Sequence, residues 1–549
     1  MMMYYKQPLL RLSICASVLF LVANVAQKAI AQEGLNDFDY WASLCNLFQG
    51  ENKYTEAIEA CDRAIAINPK DPVIWTSRTS ALFPLNRYAE ALVSAEQALK
   101  LKPDYALALT HRCIALSGLG RQSTAIAACD AALTADNNWG QQSAAVAWYY
   151  RGVGLKRLGQ PVEAIAAFDR AIAIVPNYSA AWSDRCQVLT ELDNLEAAMT
   201  ACDRAIQIDR HWETQTPATA WFNRGLVFQR LAQPDSAIAA FDRALALDPQ
   251  NAQVWTVRGT VLGSLGQYAE ALDSHNWALK INPDYPLALA NQCATLNKLD
   301  QFAEALAACE KVLQGSLNGV DVAVVWDRRG HALSGLGRYE EALTSHDRAI
   351  GLNPNFIEAW NNRSVTLWYS DRYHEALAAS DRALELNPNY AQAWYNRGRI
   401  LSSLERYEEA VNAYDRAIAA NNPRDNRTTL GEIWVNRSVA LWHLRRFTEA
   451  LAASDRALQA NPESFRVWYN RGLVLGALRR YDEALIAYDR ASQIKADDPN
   501  VWVAKGVLLI QLRQLPAALS AFDTALELAP ENTLAIQNRE AVLQQINAE

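Results

Sequence analysis

The sequence is poor in glycine, proline and histidine, and no part of it concentrates positive charge. With 23 Gly and 19 Pro among 549 residues, these residues are too sparse for a long flexible linker. Half of the residues are hydrophobic and one fifth are charged, which is typical of a folded protein and unlike a disordered one. The net charge is −8, and without a Lys/Arg cluster this balance argues against nucleic acid as the main partner.

Motifs of known catalytic sites are also missing. The seven histidines are scattered, and the sequence contains no H-E-x-x-H, no Walker loop and no G-x-S-x-G. The stretch "RGVGLKRLG", residues 151–159, has three glycines, but it has helical periodicity and does not follow a strand. It therefore does not indicate a dinucleotide-binding loop. We expect no enzymatic activity, no cofactor and no metal ion.

The N-terminus has a different composition from the rest of the chain. Lys6 and Arg11 precede a short apolar run, and Ala29 and Ala31 are placed like an A-x-A cleavage site. This order is typical of a secretory signal peptide, so we expect residues 1–31 to be removed on export. The alternative is an uncleaved membrane anchor, although the apolar run is short for a full span. After cleavage we expect no stable membrane span.

Tryptophan recurs with a period of 34 residues. Trp326, Trp360 and Trp394 follow one another at this spacing. A period of this length indicates a repeat array, and the length of such a chain does not indicate how many domains it has. Leucine replaces the tryptophan in the third and eighth copies. Fourteen copies can be aligned, starting near residues 38, 72, 106, 145, 179, 218, 252, 286, 323, 357, 391, 431, 465 and 499.

Each copy contains two stretches with helical periodicity, separated by a short polar turn. Many copies end in Asn-Pro or Asp-Pro, where proline stops the second helix. The eleventh copy shows a fixed order of large, small and aromatic residues, namely Trp394, Gly398, Leu401, Tyr407, Ala410, Tyr414 and Ala417. This order resembles the tetratricopeptide repeat (TPR) family, and the sequence of the copies is similar to its bacterial, particularly cyanobacterial, branch.

The resemblance implies an all-α fold, a right-handed TPR α-solenoid of about fourteen helix-turn-helix repeats with a C-terminal capping helix. We expect the solenoid to cover residues 38–530 and the capping helix to cover residues 531–549. Residues 32–37 then form a short N-terminal segment after the signal peptide. No globular domain remains outside the repeats to hold an active site.

One position departs systematically from the family pattern. The third residue after the tryptophan is usually Leu in the family, but here it is Arg in eleven copies and Lys505 in the last. An aspartate also recurs in the second helix, as Asp415 in the motif "DRA". We expect ion pairs between these residues of neighbouring helices. The alternative is an arginine whose stem is packed while its guanidinium reaches water.

Two positions sixteen residues apart vary together from copy to copy. When the residue four after the tryptophan is Gly, its counterpart in the second helix is usually a ring, as in Gly398 with Tyr414. When the first is Ser438, the second is Ser454. This matching predicts that the two side chains touch across the helix pair, because a glycine leaves a hole that a ring fills. His346 occupies a ring position, so we interpret it as a core residue.

Four copies have cysteine at both of these positions. Together with the predicted signal peptide and the even pairing after its removal, this predicts four disulfides. The alternative is that the cysteines are free thiols filling small holes. A metal site is disfavoured, because two cysteines without a nearby second pair offer too few ligands. The expected pairs are Cys45–Cys61, Cys113–Cys129, Cys186–Cys202 and Cys293–Cys309.

The resemblance also implies where a ligand binds. In the TPR family, side chains one, two, five and eight residues after the tryptophan position tend to face a groove lined by the first helices. A ladder of asparagines can hydrogen-bond an extended peptide, and large aromatics can anchor it. For the asparagines, the alternative is that Asn is simply common at this position in the family. For Trp368 and Trp442, the alternative is packing against the next repeat. The candidate peptide-binding residues are Asn223, Asn362, Asn396, Asn436, Asn470, Trp368, Trp442, Tyr395 and Tyr469.

These observations predict an exported scaffold or assembly factor that binds partner proteins through extended peptide segments, in the periplasm, a lumen or the cell exterior. The alternatives are a polysaccharide- or RNA-binding solenoid, whose aromatics would stack on sugars or bases, and a non-catalytic subunit of an envelope enzyme complex. Copies ten and eleven resemble copies twelve and thirteen. Four longer connections either carry binding residues or let the solenoid flex, and they include "NNWGQQSA", "HWETQTPA", "GSLNGVD" and "NNPRDNRT".

Overall fold

The structure is a computed structural model that describes residues 37–135, 137–139, 143–213, 215–420 and 427–548. These residues form 29 α-helices and no β-strand. They divide into two compact units, the first ending at Gln267 and the second beginning at Tyr268. The predicted signal peptide, residues 1–31, lies outside the described residues.

The first unit contains helices α1 to α13, most of them 13 or 14 residues long. A 3₁₀ turn, Phe83–Leu85, follows α3. The helices are α1 Phe38–Gly50, α2 Tyr54–Ile67, α3 Pro72–Leu82, α4 Tyr88–Leu101, α5 Ala106–Gly118, α6 Gln122–Thr134, α7 Ala144–Arg157, α8 Pro161–Ile174, α9 Ser179–Glu191, α10 Leu195–Ile208, α11 Pro217–Arg230, α12 Pro234–Leu247 and α13 Ala252–Ser264.

The second unit contains helices α14 to α29. As in the first unit, no helix in the described ranges combines the length and the apolar character needed to cross a membrane. The helices are α14 Tyr268–Ile281, α15 Pro286–Lys298, α16 Phe302–Gln314, α17 Val322–Gly335, α18 Tyr339–Leu352, α19 Ile357–Tyr369, α20 Tyr373–Leu386, α21 Ala391–Ser403, α22 Tyr407–Ala420, α23 Arg427–His443, α24 Phe447–Ala460, α25 Phe465–Ala477, α26 Tyr481–Ile494, α27 Pro499–Gln511, α28 Leu515–Leu528 and α29 Thr533–Ala548.

Each repeat is a pair of helices, and successive pairs stack on one another within a unit. Helix α21 packs against α22, and α22 packs in turn against α23, the first helix of the next pair. The last helix, α29, packs on α28 and caps the array. Because each element contacts its neighbours along the chain, the architecture is that of a repeat solenoid. The predicted all-α TPR solenoid fold is therefore confirmed for both units.

The tryptophan that sets the repeat period also fixes the turn that precedes its own helix. The indole Nε1 of Trp394 donates a hydrogen bond to the carbonyl of Pro388 at 2.8 Å. The same bond joins Trp468 to Pro462 at 2.8 Å. Each proline ends the preceding second helix, and the indole satisfies its carbonyl. The 34-residue period is thus tied to the turn between repeats.

The two helices of a repeat touch at the positions that vary together in the sequence. A Cβ placed on Gly152 would lie 2.6 Å from Cε1 of Phe168, and a Cβ on Gly506 would lie 2.6 Å from the same atom of Phe522. A Cβ on Gly398 would collide with the ring of Tyr414 in the same way. The predicted contact is therefore confirmed: the helices approach so closely that only glycine fits against a ring.

The four cysteine pairs occupy this same contact. All eight side chains are fully buried. The Cα–Cα distances lie within the range that a disulfide needs. Whether the native protein oxidises them stays a prediction. The distances are 5.2 Å for Cys45–Cys61, 5.2 Å for Cys113–Cys129, 5.3 Å for Cys186–Cys202 and 5.4 Å for Cys293–Cys309.

In many repeats an ion pair joins the first helix to the second helix of the preceding repeat, as expected. Nε of Arg397 lies 2.7 Å from Oδ1 of Asp381, and its guanidinium carbon lies 5.7 Å from the ring centroid of Trp394. Because the carboxylates are about half exposed, each pair contributes at most about 1 kcal/mol. The same pair forms between Arg363 and Asp347 and between Arg471 and Asp455.

We expect Gly398→Ala to destabilise the second unit, because its methyl group would overlap the ring of Tyr414. Overpacking of this kind costs about 1–3 kcal/mol. Gly351→Ala is the matched control, since Gly351 is helical and has no other atom within 4 Å of the added methyl. It should stabilise by up to about 1 kcal/mol. Urea unfolding followed by circular dichroism measures both, and equal effects of the two substitutions would refute the close contact.

We expect the mature protein from an oxidising compartment to show no free thiol when it is denatured without reductant. Reduction should then expose eight, because the ninth cysteine, Cys15, belongs to the predicted signal peptide. Each bridge closes a sequence separation of 16 residues and should contribute about 3 kcal/mol. Protein made in a reducing cytoplasm is the control. Eight reactive thiols in the exported protein would contradict the disulfide prediction.

Candidate peptide-binding groove

The first helices of the second unit present neighbouring side chains on one surface, which we call the groove face. It consists of the side chains one, two, five and eight residues after the tryptophan position on α17, α19, α21, α23, α25 and α27. Each of these helices contacts the next first helix, so their side chains lie beside one another. All of the predicted peptide-binding residues except Asn223 occupy these positions.

Asparagine side chains link the first helices of adjacent repeats. Nδ2 of Asn396 donates to Oδ1 of Asn361 at 2.9 Å. Nδ2 of Asn362 donates to Oδ2 of Asp327 at 2.9 Å. Each bond runs from one repeat to the preceding repeat. These two asparagines therefore stabilise the stacking of the repeats, and peptide binding by the row of asparagines stays a prediction.

The asparagines differ in their access to a ligand. Asn396 and Asn223 are each 3% exposed, and Nδ2 of Asn223 donates to the carbonyl and the hydroxyl of Ser183, both at 3.1 Å. These two side chains hold repeats together and do not face an open groove. Asn470 is half-buried. Its amide has no hydrogen-bond partner in the part of the chain that the structure describes.

The two predicted tyrosines belong to the repeat core as well as to the groove face. The ring centroid of Tyr395 lies 6.3 Å from that of Tyr414, and the centroid of Tyr469 lies 6.0 Å from that of Tyr488. Burial raises the pKa of the Tyr395 and Tyr469 hydroxyls. The Tyr395 hydroxyl accepts a hydrogen bond from Nδ2 of Asn436 at 3.0 Å. Both rings are therefore held in place before any ligand arrives.

Trp368 is covered by the next repeat. Its Nε1 donates to the Ser403 hydroxyl at 2.9 Å. The guanidinium carbon of Arg399 lies 4.0 Å from its ring centroid, which is close stacking of a cation on an aromatic face. Trp368 therefore packs against the adjacent repeat, which was the alternative to ligand binding.

Trp442 is open where Trp368 is covered. It is 37% exposed and borders a cavity of about 130 Å³. Its indole N–H has no acceptor within the described ranges of the chain. Large aromatic rings with one free face and one free donor are the anchors that dominate binding at protein interfaces. The cavity is lined by Ser438, Val439, Trp442, His443, Asn470, Leu473 and Val474.

A buried histidine–carboxylate pair supports the groove face from within the repeat core. Nδ1 of His346 lies 2.8 Å from Oδ1 of Asp327, and His346 is fully buried against Gly330. The interpretation of His346 as a core residue is confirmed. Because Asp327 also accepts from Asn362, the pair fixes a groove-face amide. No cluster of three or more His, Cys, Asp or Glu side chains suited to a metal ion occurs in the described residues.

The first unit contains a polar cluster that the sequence did not reveal. The Tyr149 hydroxyl donates to Oδ2 of Asp184 at 3.0 Å, and Nζ of Lys156 donates to Oδ1 of the same carboxylate at 2.5 Å. Burial raises the pKa of the Tyr149 hydroxyl. The residues belong to consecutive repeats: Tyr149 and Lys156 are one and eight positions after the tryptophan of one repeat, and Asp184 is two positions after the tryptophan of the next. Their partnership becomes visible only when the repeats are stacked.

One longer connection folds back onto the first unit. Within "HWETQTPA", the carboxylate of Glu213 accepts from the Tyr178 hydroxyl at 2.9 Å, and burial raises the pKa of that carboxyl. Just before it, the carbonyl of Arg210 accepts from the backbone N–H of Ser179 at 2.9 Å. This connection is therefore anchored on α9. The connections after the third and eleventh copies lie partly outside the described residues.

Similar solved structures include the APC/C hetero-tetramer Cut9–Hcn1, at 15% identity over 92% of this chain and 96% of that chain, with a TM-score of 0.42. YrrB, a TPR protein with an unusual peptide-binding site, matches at 24% identity over 36% and 97%, with a TM-score of 0.31. A tetratricopeptide repeat protein from Parabacteroides merdae matches at 16% identity over 48% and 99%, with a TM-score of 0.40. A search of curated proteins found no match.

Family models described as tetratricopeptide repeat match along most of the array. Four matches fall on the repeats that form the groove face, at residues 323–356, 363–426, 435–500 and 499–532. Further matches cover residues 145–178, 218–251 and 240–273. Together they span more than half of the chain, and their descriptions name the family without a branch. The chain belongs to the tetratricopeptide repeat family.

Proposed function

We propose that the protein is an exported scaffold or assembly factor that holds an extended peptide segment of a partner protein along the groove face of its second unit. A TPR array is an architecture for protein–protein interaction, because stacked first helices present a long surface. Beyond this general role, we propose that the protein acts outside the cytoplasm and that the partner binds the second unit.

The observation that carries the proposal is the open tryptophan of the groove face. Trp442 is 37% exposed beside its cavity, and the half-buried amide of Asn470 lines the same cavity. An amide can both donate to and accept from a peptide backbone. A ring with a free face supplies apolar contact area at little cost in side-chain entropy. An extended peptide in this position therefore gains both contacts at once.

Export rests on two independent features. The N-terminus has the order of charged, apolar and small residues that is typical of a signal peptide. The four cysteine pairs lie at disulfide distance inside the repeats, which suits an oxidising compartment. The periplasm, a lumen and the cell exterior all provide such conditions.

We expect the mature protein to capture a partner from native envelope extract, and the variant Trp442→Ala/Asn470→Ala to lose most of it. The variant removes the open ring and the open amide without touching an inter-repeat bond. Trp277→Ala is the matched control, since Trp277 is a 48% exposed tryptophan on a second helix of the same unit. Captured proteins are compared by quantitative mass spectrometry after circular dichroism shows that all three proteins are folded.

Equal recovery from the wild type and the double variant would place binding elsewhere, in the first unit or in a connection. Loss of the same partner from the Trp277→Ala control would show that exposed tryptophans act nonspecifically. Recovery of no protein at all would favour a non-protein ligand over the scaffold proposal.

A further inference from the structure

The second unit contains the same tryptophan pocket twice, two repeats apart. Trp368 and Trp442 are each the eighth residue after the repeat tryptophan, in copies ten and twelve. Asn396 and Asn470 occupy corresponding positions in copies eleven and thirteen. Because the helices are the same in both places, differences between the pockets come from a few side chains.

In the first pocket, the chain's own side chains cover every binding group. The guanidinium of Arg399 lies 4.0 Å from the ring centroid of Trp368. The indole N–H of Trp368 donates to the Ser403 hydroxyl at 2.9 Å. Asn396 donates to Asn361 at 2.9 Å. The ring face, the indole N–H and the amide therefore all have partners inside the protein.

In the second pocket, each of these covering residues is replaced by one that cannot repeat its contact. Leu473 stands in place of the arginine, Ala477 in place of the serine, and Val435 in place of the asparagine that accepts the amide bond. The Trp442 ring meets the His443 ring edge-to-face, with centroids 5.2 Å apart, but no Lys or Arg stacks on it among the residues that the structure describes. Within the same residues, the indole N–H of Trp442 and the amide of Asn470 make no hydrogen bond. A cavity of about 130 Å³ remains between them.

We propose that the Trp442 pocket binds an arginine side chain of the partner protein. The partner's guanidinium lies over the ring of Trp442 as Arg399 lies over Trp368, and its N–H groups donate to Oδ1 of Asn470. A carbonyl oxygen of the partner accepts the indole N–H, as the Ser403 hydroxyl does in the first pocket. This inference rests on the proposed function, because it names the chemistry that the groove face recognises.

Arginine fits this pocket better than an acidic or a purely apolar side chain. A cation is attracted to the negative face of the indole ring, whereas a carboxylate is repelled by it, and no Lys or Arg lines the cavity. Val439 and Leu473 are placed to contact the aliphatic stem of an arginine. The net charge of −8 favours approach of a basic segment. A leucine side chain has no N–H to donate, so it would leave Oδ1 of Asn470 unpaired.

The test is a titration of the full mature protein, labelled with 5-fluorotryptophan, by fluorine NMR at pH 7.5. The probes are four blocked peptides, Ac-Gly-X-Gly-NH₂, in which X is Arg, Leu, Gln or Glu. The Trp442 resonance is assigned as the signal that Trp442→Phe removes. We expect a saturable shift of this resonance with the Arg peptide, a smaller one with the Gln and Leu peptides, and none with the Glu peptide.

Two reciprocal variants use only residues that the chain already places at the corresponding positions, so both should fold. Leu473→Arg/Ala477→Ser gives the second pocket its own arginine and serine, and it should abolish the shift of Trp442. Arg399→Leu/Ser403→Ala uncovers the first pocket, and it should create a new response of Trp368 to the Arg peptide. Circular dichroism of both variants confirms that the helices are retained.

The ranking of peptides on the wild-type protein decides the proposal even if a variant fails to fold. A Leu or Glu peptide that shifts Trp442 more than the Arg peptide overturns it, and so does the absence of any response. A shift that persists in a folded Leu473→Arg/Ala477→Ser variant also overturns it. These outcomes differ from failure of the proposed function, in which the pocket binds the Arg peptide but no protein is captured from extract.

Discussion

The close approach of the two helices within each repeat is the constraint on which the rest of the structure depends. Different side chains meet it in different copies: glycine against a ring in Gly152 and Phe168, and two hydroxyls 2.8 Å apart in Ser438 and Ser454. The cysteine pairs occupy the same contact at Cα–Cα distances of 5.2–5.4 Å. Because each solution fills the same contact within a repeat, side chains on the groove face can change without disturbing the fold.

Because the helix pairs are alike, function depends on the groove-face side chains that differ between repeats. Copies ten to thirteen place a tryptophan at the same position twice, yet Trp368 is covered by its neighbours and Trp442 is open. The difference is made by residues contributed by the next repeat, above all Arg399 in one case and Leu473 in the other. A duplicated pair of repeats thus contains one pocket closed by the chain itself and one available to a partner.

The sequence predicts contacts well when both partners belong to the same pattern at a fixed offset. Gly398 and Tyr414 vary together because their spacing within a repeat is constant, and the period of 34 identifies the fold for the same reason. The sequence predicts poorly which groove-face side chains a ligand can reach. Whether Asn396 is buried or Asn470 is open depends on which residue the preceding repeat presents, and a periodic pattern treats both asparagines alike. The cluster of Tyr149 with Asp184 escapes detection because its members come from different repeats.

The most direct test of partner binding at the groove face is site-specific photocrosslinking in native envelope extract. A benzophenone amino acid replaces Val507, which is 41% exposed at the groove position that follows Leu473 in the next repeat, and in a second protein it replaces Ile486, which is 64% exposed on the second helix α26. We expect position 507 to crosslink a discrete partner segment containing arginine and position 486 not to crosslink it. Capture of the same segment at position 486, or of none at position 507, would rule out partner binding at the groove face.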